Sequence, residues 1–471
     1  MAKRHLGLAK AGKAKQQKGS SDSAANAGHA GHNSPAPRTD GNGTKRDAEG
    51  DGTAAVSAAG PLEEVSLQLS ADIDANDAMG QLRVLWLNFI ESDNRNELMA
   101  NAVVHECDRL LRRLAQAAET PVDDEKIFID ANFYSIYAGA LASLAFFHAS
   151  DPAAVRDFFK EAADRIDTGK RLFPGAVSVL LADARILLTK IPLAEISRLD
   201  AHSTVGTDHG DVSLLLDECL AKWEAAERVA QENKLWEVYN RENAEFLDAL
   251  DDLLKIVATF GEEAVDAEDS DGTEPPLAVQ LGKKHPLYKI RQNSRYGAWW
   301  REHTIEFLEL LEKNIALLEK DANLPSNGAE QPLQTADEEQ RTSLVMLKKQ
   351  LSQRVGNSLL AEAEGPADIF ATLAYESEGQ DQLDGLSLEK ARTMCKTFYS
   401  QALEYLRAAQ DDEEPDSWAS VAEAIILLGN LYDVGDEEQE RLYKEAEQIL
   451  VRANNVTNGK YEAILQNLIQ E

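Results

Sequence analysis

Residues Pro415 to Ala453 read PDSWASVAEAIILLGNLYDVGDEEQERLYKEAEQILVRA, and this stretch decides the fold. Apolar side chains recur at Trp418, Val421, Ala422, Ile425, Ile426, Leu428 and Leu431. That is helical spacing, over a run too long for a typical strand. Asp416 or Ser417 is expected to cap the helix start, where a short side-chain oxygen accepts from the free amides of the first turn. Gly435 closes this helix. Asp436-Glu437-Glu438 then places negative charge at the start of a second helix, where the helix dipole favours it. Leu442, Tyr443, Ala446, Ile449, Leu450 and Ala453 give that second helix its apolar face.

Within the hairpin, Leu428-Gly429-x-x-Tyr432 matches the L-G-x-x-Y core of a tetratricopeptide first helix. Ala446-x-x-x-Leu450-x-x-Ala453 matches the core of the second. Small residues at these positions let two helix axes approach closely. The connecting turn is longer than a repeat of about 34 residues allows, so the pattern is tetratricopeptide-like and not a standard repeat. The second-helix pattern recurs upstream as Ala162-x-x-x-Ile166-x-x-Gly169, followed by Pro174, and again as Ala402-x-x-x-Leu406-x-x-Ala409. The expected fold is therefore all-α, with helical hairpins stacked as a solenoid. An ordinary antiparallel helix pair in a bundle is the plainer alternative.

Outward from the hairpin, the chain has 471 residues and a net charge of −34, and its 43% hydrophobic and 28% charged content is as expected of a soluble globular protein. No apolar run approaches the roughly 20 residues that span a bilayer, and the charged N-terminus has no secretory h-region. Cys107, Cys219 and Cys395 are few, odd in number and far apart, which argues against a disulfide framework and for a reducing compartment. The acidic balance disfavours direct nucleic-acid binding by the folded part, because a phosphate backbone would be repelled. It suits basic partners such as ribosomal proteins, and it equally suits a merely solvated surface.

Four segments are expected. Residues 1–72 form a disordered, low-complexity tail, too poor in aromatics to offset the entropy of ordering. Its basic residues Lys3, Arg4, Lys10, Lys13, Lys15 and Lys18 read either as a nuclear-localisation or importin-binding signal or as a nonspecific tail. His29 and His32 lie there too, in a setting that does not hold ligands for a metal. Residues 73–260 make an N-terminal helical-repeat domain and 283–471 a C-terminal one. Between them, 261–282 is an acidic loop or linker ending its charged run at Pro275-Pro276. The same segment could be an insertion within one continuous solenoid.

Individual helices are expected at about 97–118, 128–149, from Pro152, 176–189, 213–229, 235–260, 287–320, 337–364, 387–409 and 460–469, with a loop at 376–385. The 128–149 stretch is apolar on more than one face, which predicts burial between neighbours. In the 97–118 helix, Val104, Cys107 and Leu111 are expected in the core. His105, Glu106 and Cys107 are adjacent and point in different directions, so they do not converge on one ion. Trp299 and Trp300 are both expected to pack in the core; the alternative is that one faces the core and the other, if exposed, is a binding anchor. No phosphate-binding glycine loop, dinucleotide fingerprint, H-E-x-x-H or G-x-S-x-G occurs, and no run of strands suggests an α/β sheet. Catalytic, cofactor-binding and metal residues are accordingly expected to be absent.

Several stretches together resemble the fungal enhancer-of-translation-termination family. They are Met1-Ala2-Lys3-Arg4-x-Leu6-Gly7-Leu8, Val104 to Arg112, Ile191-Pro192-Leu193-x-x-Ile196-Ser197 and His285-Pro286-x-Tyr288. Val421-Ala422-Glu423-Ala424-x-Ile426-x-Leu428-Gly429-Asn430-Leu431 and Ala453-Asn454-x-x-x-x-Gly459-Lys460 complete the set. The similarity runs in order through the folded chain, and the tail departs from it after the first dozen residues. The resemblance implies a nuclear, non-enzymatic helical protein without a cofactor of its own. It implies a partner, a 2-oxoglutarate- and iron-dependent prolyl hydroxylase, whose effect on hypoxic gene expression the protein restrains, and a role in translation termination. An acidic carrier or import adaptor for a basic ribosomal protein is the alternative. Importin and ribosome-associated proteins are further candidate partners.

Overall fold

A computed structural model describes residues 77–92, 96–119, 128–206, 209–261, 279–322, 333–376 and 381–469. The basic tail, with Lys3, Arg4, Lys10, Lys13, Lys15 and Lys18, and the acidic run 262–278 lie outside these residues.

The described residues are almost wholly helical. In order, the helices are α1 (Ala78–Glu91), α2 (Glu97–Glu119), α3 (Ala131–Phe147), α4 (Pro152–Leu172), α5 (Val177–Lys190), α6 (Val212–Glu232) and α7 (Arg241–Ala258). There follow α8 (Tyr288–Arg291), α9 (Arg295–Ala322), α10 (Leu333–Ala371), α11 (Leu388–Ala409), α12 (Pro415–Gly429), α13 (Glu437–Val456) and α14 (Glu462–Ile469). Two two-residue strands, β1 (Gln382–Leu383) and β2 (Leu386–Ser387), form an antiparallel hairpin in the segment expected to be plain loop.

Side-chain caps set many of the starts. Asp130, Asp151, Asp211, Asn240, Ser387 and Asp436 each accept from an amide of the following turn. Three expected boundaries move for local reasons. The helix expected over 235–260 is split, because Trp236–Val238 forms a 3-10 turn and Asn240 then caps α7. The one expected over 287–320 breaks at Gln292, and the Asn293 side chain accepts from Arg295 N as α9 begins. Neither Asp416 nor Ser417 caps α12. Glu414 precedes it without a side-chain bond, Ser417 Oγ donates to Glu414 O, and Asp416 turns to Lys460 and Tyr461.

Prolines shape the end of one helix and the interior of another. After α5 the chain widens into a π-helical turn, Ile191–Glu195, containing Pro192. The ring removes one amide donor and crowds the preceding turn, and the wider turn relieves that conflict. Pro366 lies inside α10, which was expected to stop near residue 364 and continues to Ala371.

Helices pack in sequence: α1 on α2, α3 on α4, α5 on α6, α9 on α10, α10 on α11, α12 on α13. The odd-numbered helices also meet one another, α1 with α3, α3 with α5, α5 with α7. One core gathers α1 to α5 around Phe89, Phe133, Leu110 and Ile166. A second runs from Val177 to Ala402 and draws on residues from both sides of 262–278. Helix α5 serves both cores, with Val179, Ala182 and Ile186 facing the first and Leu181, Ala184 and Leu188 the second. Helix α3 is buried nearly all round, as its composition predicts.

Close approach depends on missing side chains. A Cβ on Gly169 would sit 2.8 Å from Tyr134 Cβ, and one on Gly356 would sit 2.6 Å from Leu406 Cγ. In α2 the buried stripe is Val103, Cys107 and Leu110, one residue out of the expected phase, with Val104 and Leu111 only half-buried. Glu106 pairs with Arg109 on the surface. All three cysteines are buried and free. Burial pushes each thiol up, Cys395 to about 11 and the other two further.

Candidate functional site

Four helices that alternate along the chain with others present one face each to an open groove of about 600 Å³. Its lining comes from α1, α3, α5 and α7, with Arg354 reaching in from α10. One end is built on Gly139, whose absent side chain lets Trp86 and Arg185 close in. A Cβ there would lie 3.0 Å from Trp86 Cη2 and 3.5 Å from Arg185 Nη2. The Arg185 guanidinium lies over the Trp86 ring and is held by Glu242 twice. Nη2 donates to Oε1 at 2.7 Å and Nη1 to the backbone oxygen at 2.9 Å. Trp86 is 3% exposed, and its Nε1 has no hydrogen-bond partner.

The other end is ionic. Arg354 pairs with Asp248 at 3.0 Å and Asp251 at 3.5 Å, and Arg241 donates to Gln350 of α10 at 2.7 Å. Burial pushes the Asp248 carboxyl up, with Arg354 and Arg241 pulling against it and Asp252 adding to it. Between the ends, the Ser143 and Thr189 hydroxyls donate to carbonyls of their own helices and are not set up as nucleophiles. Phe146 stands at the rim, 62% exposed, on a helix otherwise nearly sealed. Among the described residues, one set of three potential metal donors, Glu227, His303 and Glu306, lies apart from this groove on α6 and α9.

The residues picked out by the repeat pattern hold helix contacts and do not line this groove. Ala162, Ile166 and Gly169 are buried on α4, and Pro174 is exposed in the turn that follows. Ala402, Leu406 and Ala409 are buried on α11, as are Ala446, Leu450 and Ala453 on α13. Leu428 is buried and Gly429 ends α12, where a Cβ would meet Tyr443 Cε1 at 2.6 Å. Tyr432 lies beyond the helix, half-buried, with Lys396 of α11 over its ring. Trp300 is buried and donates to Leu247 O. Trp299 is half-buried and stacks on His303.

The groove residues Arg185, Asp248 and Arg354 were not singled out from sequence. Arg185 carried a usable signal, a lone arginine inside the apolar run SVLLADARILL. A buried arginine needs partners, and those partners come from a helix more than fifty residues on.

Comparison with known proteins places the chain. Residues 39–469 match the family model described as nuclear pore complex subunit Nro1. The chain is 43% identical over 469 residues to enhancer of translation termination 1 of Clavispora lusitaniae, covering 99% of each chain. It is 39% identical to the protein of that name in Debaryomyces hansenii, again covering 99% of both, and 38% identical to that of Scheffersomyces stipitis over the full length of both. No solved structure matches it. With similarity of this depth from end to end, the chain belongs to the fungal enhancer of translation termination family, the family that the Nro1 model also describes.

Proposed function

We propose that this chain is a nuclear, non-enzymatic scaffold that serves translation termination by binding other proteins, with the groove across α1, α3, α5 and α7 as its contact surface. The observation that carries this reading is the groove itself, an aromatic- and charge-lined channel with no hydroxyl poised for chemistry. Full-length similarity to proteins named for translation termination, and to a family named for the nuclear pore, supports the setting. No helix among the described residues is long and apolar enough to cross a membrane. The neighbour-to-neighbour packing of odd-numbered helices, each backed by the next helix, supports tetratricopeptide-like hairpins stacked as a solenoid. The basic tail is the import signal in this reading, and 261–282 is a linker between two repeat regions.

The partner we favour is the 2-oxoglutarate-dependent prolyl hydroxylase that the family resemblance implies, held and restrained on this surface. The net charge of −34 supports a second reading, an acidic carrier for a basic ribosomal protein. Recovery of the tagged chain from its native cells, washed at low and high salt, separates the two. An interface with an apolar core survives salt, and one held by long-range charge does not. A dioxygenase retained at high salt by the wild type and lost by Phe146→Glu, with unchanged circular dichroism, supports the scaffold. Retention by Phe146→Glu overturns the groove assignment. Basic ribosomal proteins recovered only at low salt, without a dioxygenase, favour the carrier.

A further inference from the structure

Glu227 of α6 and His303 and Glu306 of α9 offer three ligand atoms that all lie within 4.8 Å of one another. His303 and Glu306 are three residues apart on one helix, so both point to the same side. Glu227 meets them from the facing helix. Its Oε2 is 2.7 Å from His303 Nδ1. The residue is 5% exposed, yet its second oxygen carries no hydrogen bond of normal geometry. The indole N–H of Trp223, which has no other partner, approaches that carboxylate as a donor. Tyr239, 2% exposed, lies next to the same cluster, with the Gln231 side chain beside its hydroxyl. A buried carboxylate oxygen without a well-formed hydrogen bond is costly, and a group that coordinates it would remove the cost.

The surrounding residues form a supporting shell. Gln231 donates to Glu306 Oε1 at 2.7 Å. Trp299 stacks on the His303 ring at 3.8 Å between centroids, and its own Nε1 donates to Glu224 at 2.7 Å. Stacking thus fixes the imidazole plane, and a hydrogen bond holds one carboxylate. His303 and Glu306 are only half-buried, which leaves a route for an ion from solvent to the sealed Glu227.

We propose that Glu227, His303 and Glu306 form a binding site for a divalent transition-metal ion of the zinc class, which staples α6 to α9. One imidazole and two carboxylates are ordinary zinc donors, and the free Glu227 oxygen or a water supplies the fourth position. Two carboxylates and a neutral imidazole balance the two charges of the ion, so the occupied site is neutral. Coordination replaces the direct Glu227–His303 bond, and the two atoms separate to about 3.3 Å, the edge of a tetrahedron with ligands near 2.05 Å. No chemistry is assigned to the ion beyond joining the helices.

The test is calorimetric titration of the full-length, chelator-stripped chain with zinc sulfate, in parallel with His303→Ala, Glu306→Gln, Glu227→Gln and the exposed Glu302→Gln on the same helix. Circular dichroism checks that each variant is folded. Glu306→Gln, at a half-buried position, keeps the comparison available if Glu227→Gln does not fold. The expected result is one site per chain. His303→Ala and Glu306→Gln weaken it by at least about tenfold, and Glu302→Gln leaves it unchanged. Zinc absorption-edge spectroscopy then shows one nitrogen among oxygen ligands and no sulfur. Absence of a saturable site, or a site indifferent to His303→Ala and Glu306→Gln, overturns the proposal.

Discussion

Two ion pairs in this protein, each with one buried and one half-buried partner, are built to opposite ends. Arg185–Glu242 joins α5 to α7 beside the groove, and the guanidinium makes two hydrogen bonds to the same residue. Glu227–His303 joins α6 to α9 and leaves a carboxylate oxygen without a normal hydrogen bond. A satisfied pair of this kind is a strut, and its geometry leaves little capacity for anything else. An unsatisfied pair keeps binding capacity in reserve. Removing charges from the interior is expensive in both cases, and the difference lies in what each pair can still accept.

The comparison can be broken most strongly at Arg185. Arg185→Met leaves Glu242 without its partner and should lower stability by about 3 kcal/mol in denaturant unfolding, whereas a loss below about 1 kcal/mol would show that the strut is dispensable. A smaller effect is expected where packing replaces charge. Gly356→Ala should cost about 2 kcal/mol, since Leu406 cannot yield without moving α11. Gly297→Ala in α9 meets nothing within 4 Å and should gain up to about 1 kcal/mol from helix propensity. Equal outcomes for the two glycines would refute the close approach of α10 and α11.

A pH series sharpens the contrast between the pairs. Burial pulls the His303 imidazole down, but the hydrogen bond and charge of Glu227, with Glu224 and Glu306, outweigh it, and the net direction is up. Burial pushes the Glu227 carboxyl up, with His303 opposing. A histidine raised in the folded state stabilises most fully below its ordinary value near 6.5, and the contribution is lost as pH climbs through the folded value. The metal-free chain should therefore lose melting temperature as pH rises from about 6.5. His303→Gln should flatten that slope, and Arg185→Met should leave it unchanged. The smallest effect is expected from cutting the chain. With a protease site placed in 262–278, the two fragments should stay together on size exclusion without denaturant, because one core draws on both sides of the cut. Separation of the fragments would show that the shared core is too weak to hold them.

Helix content was legible wherever the pattern is local. The α12–α13 hairpin shows it best, since small residues at Gly429, Ala446 and Ala453 sit where the helices touch. Its details were not legible, because Ser417 finds backbone partners upstream and Asp416 finds Lys460, both set by the tertiary fold. In α2 two neighbouring apolar positions, Val103 and Val104, compete for one buried face, and periodicity alone does not choose between them. The groove was hidden because its polar residues come from α5, α7 and α10, each unremarkable in its own helix. The His303-x-x-Glu306 half of the metal-donor set is visible in sequence, but Glu227 lies 76 residues away.

The three sealed thiols have a practical consequence. With Cys107, Cys219 and Cys395 buried and their thiols raised, the native chain should behave toward maleimide as if it had no cysteine. A single cysteine engineered at the groove rim would then carry a fluorophore at one defined position. The native three would take up label only as the surrounding helices open, so their labelling rates would time the opening of three separate parts of the molecule.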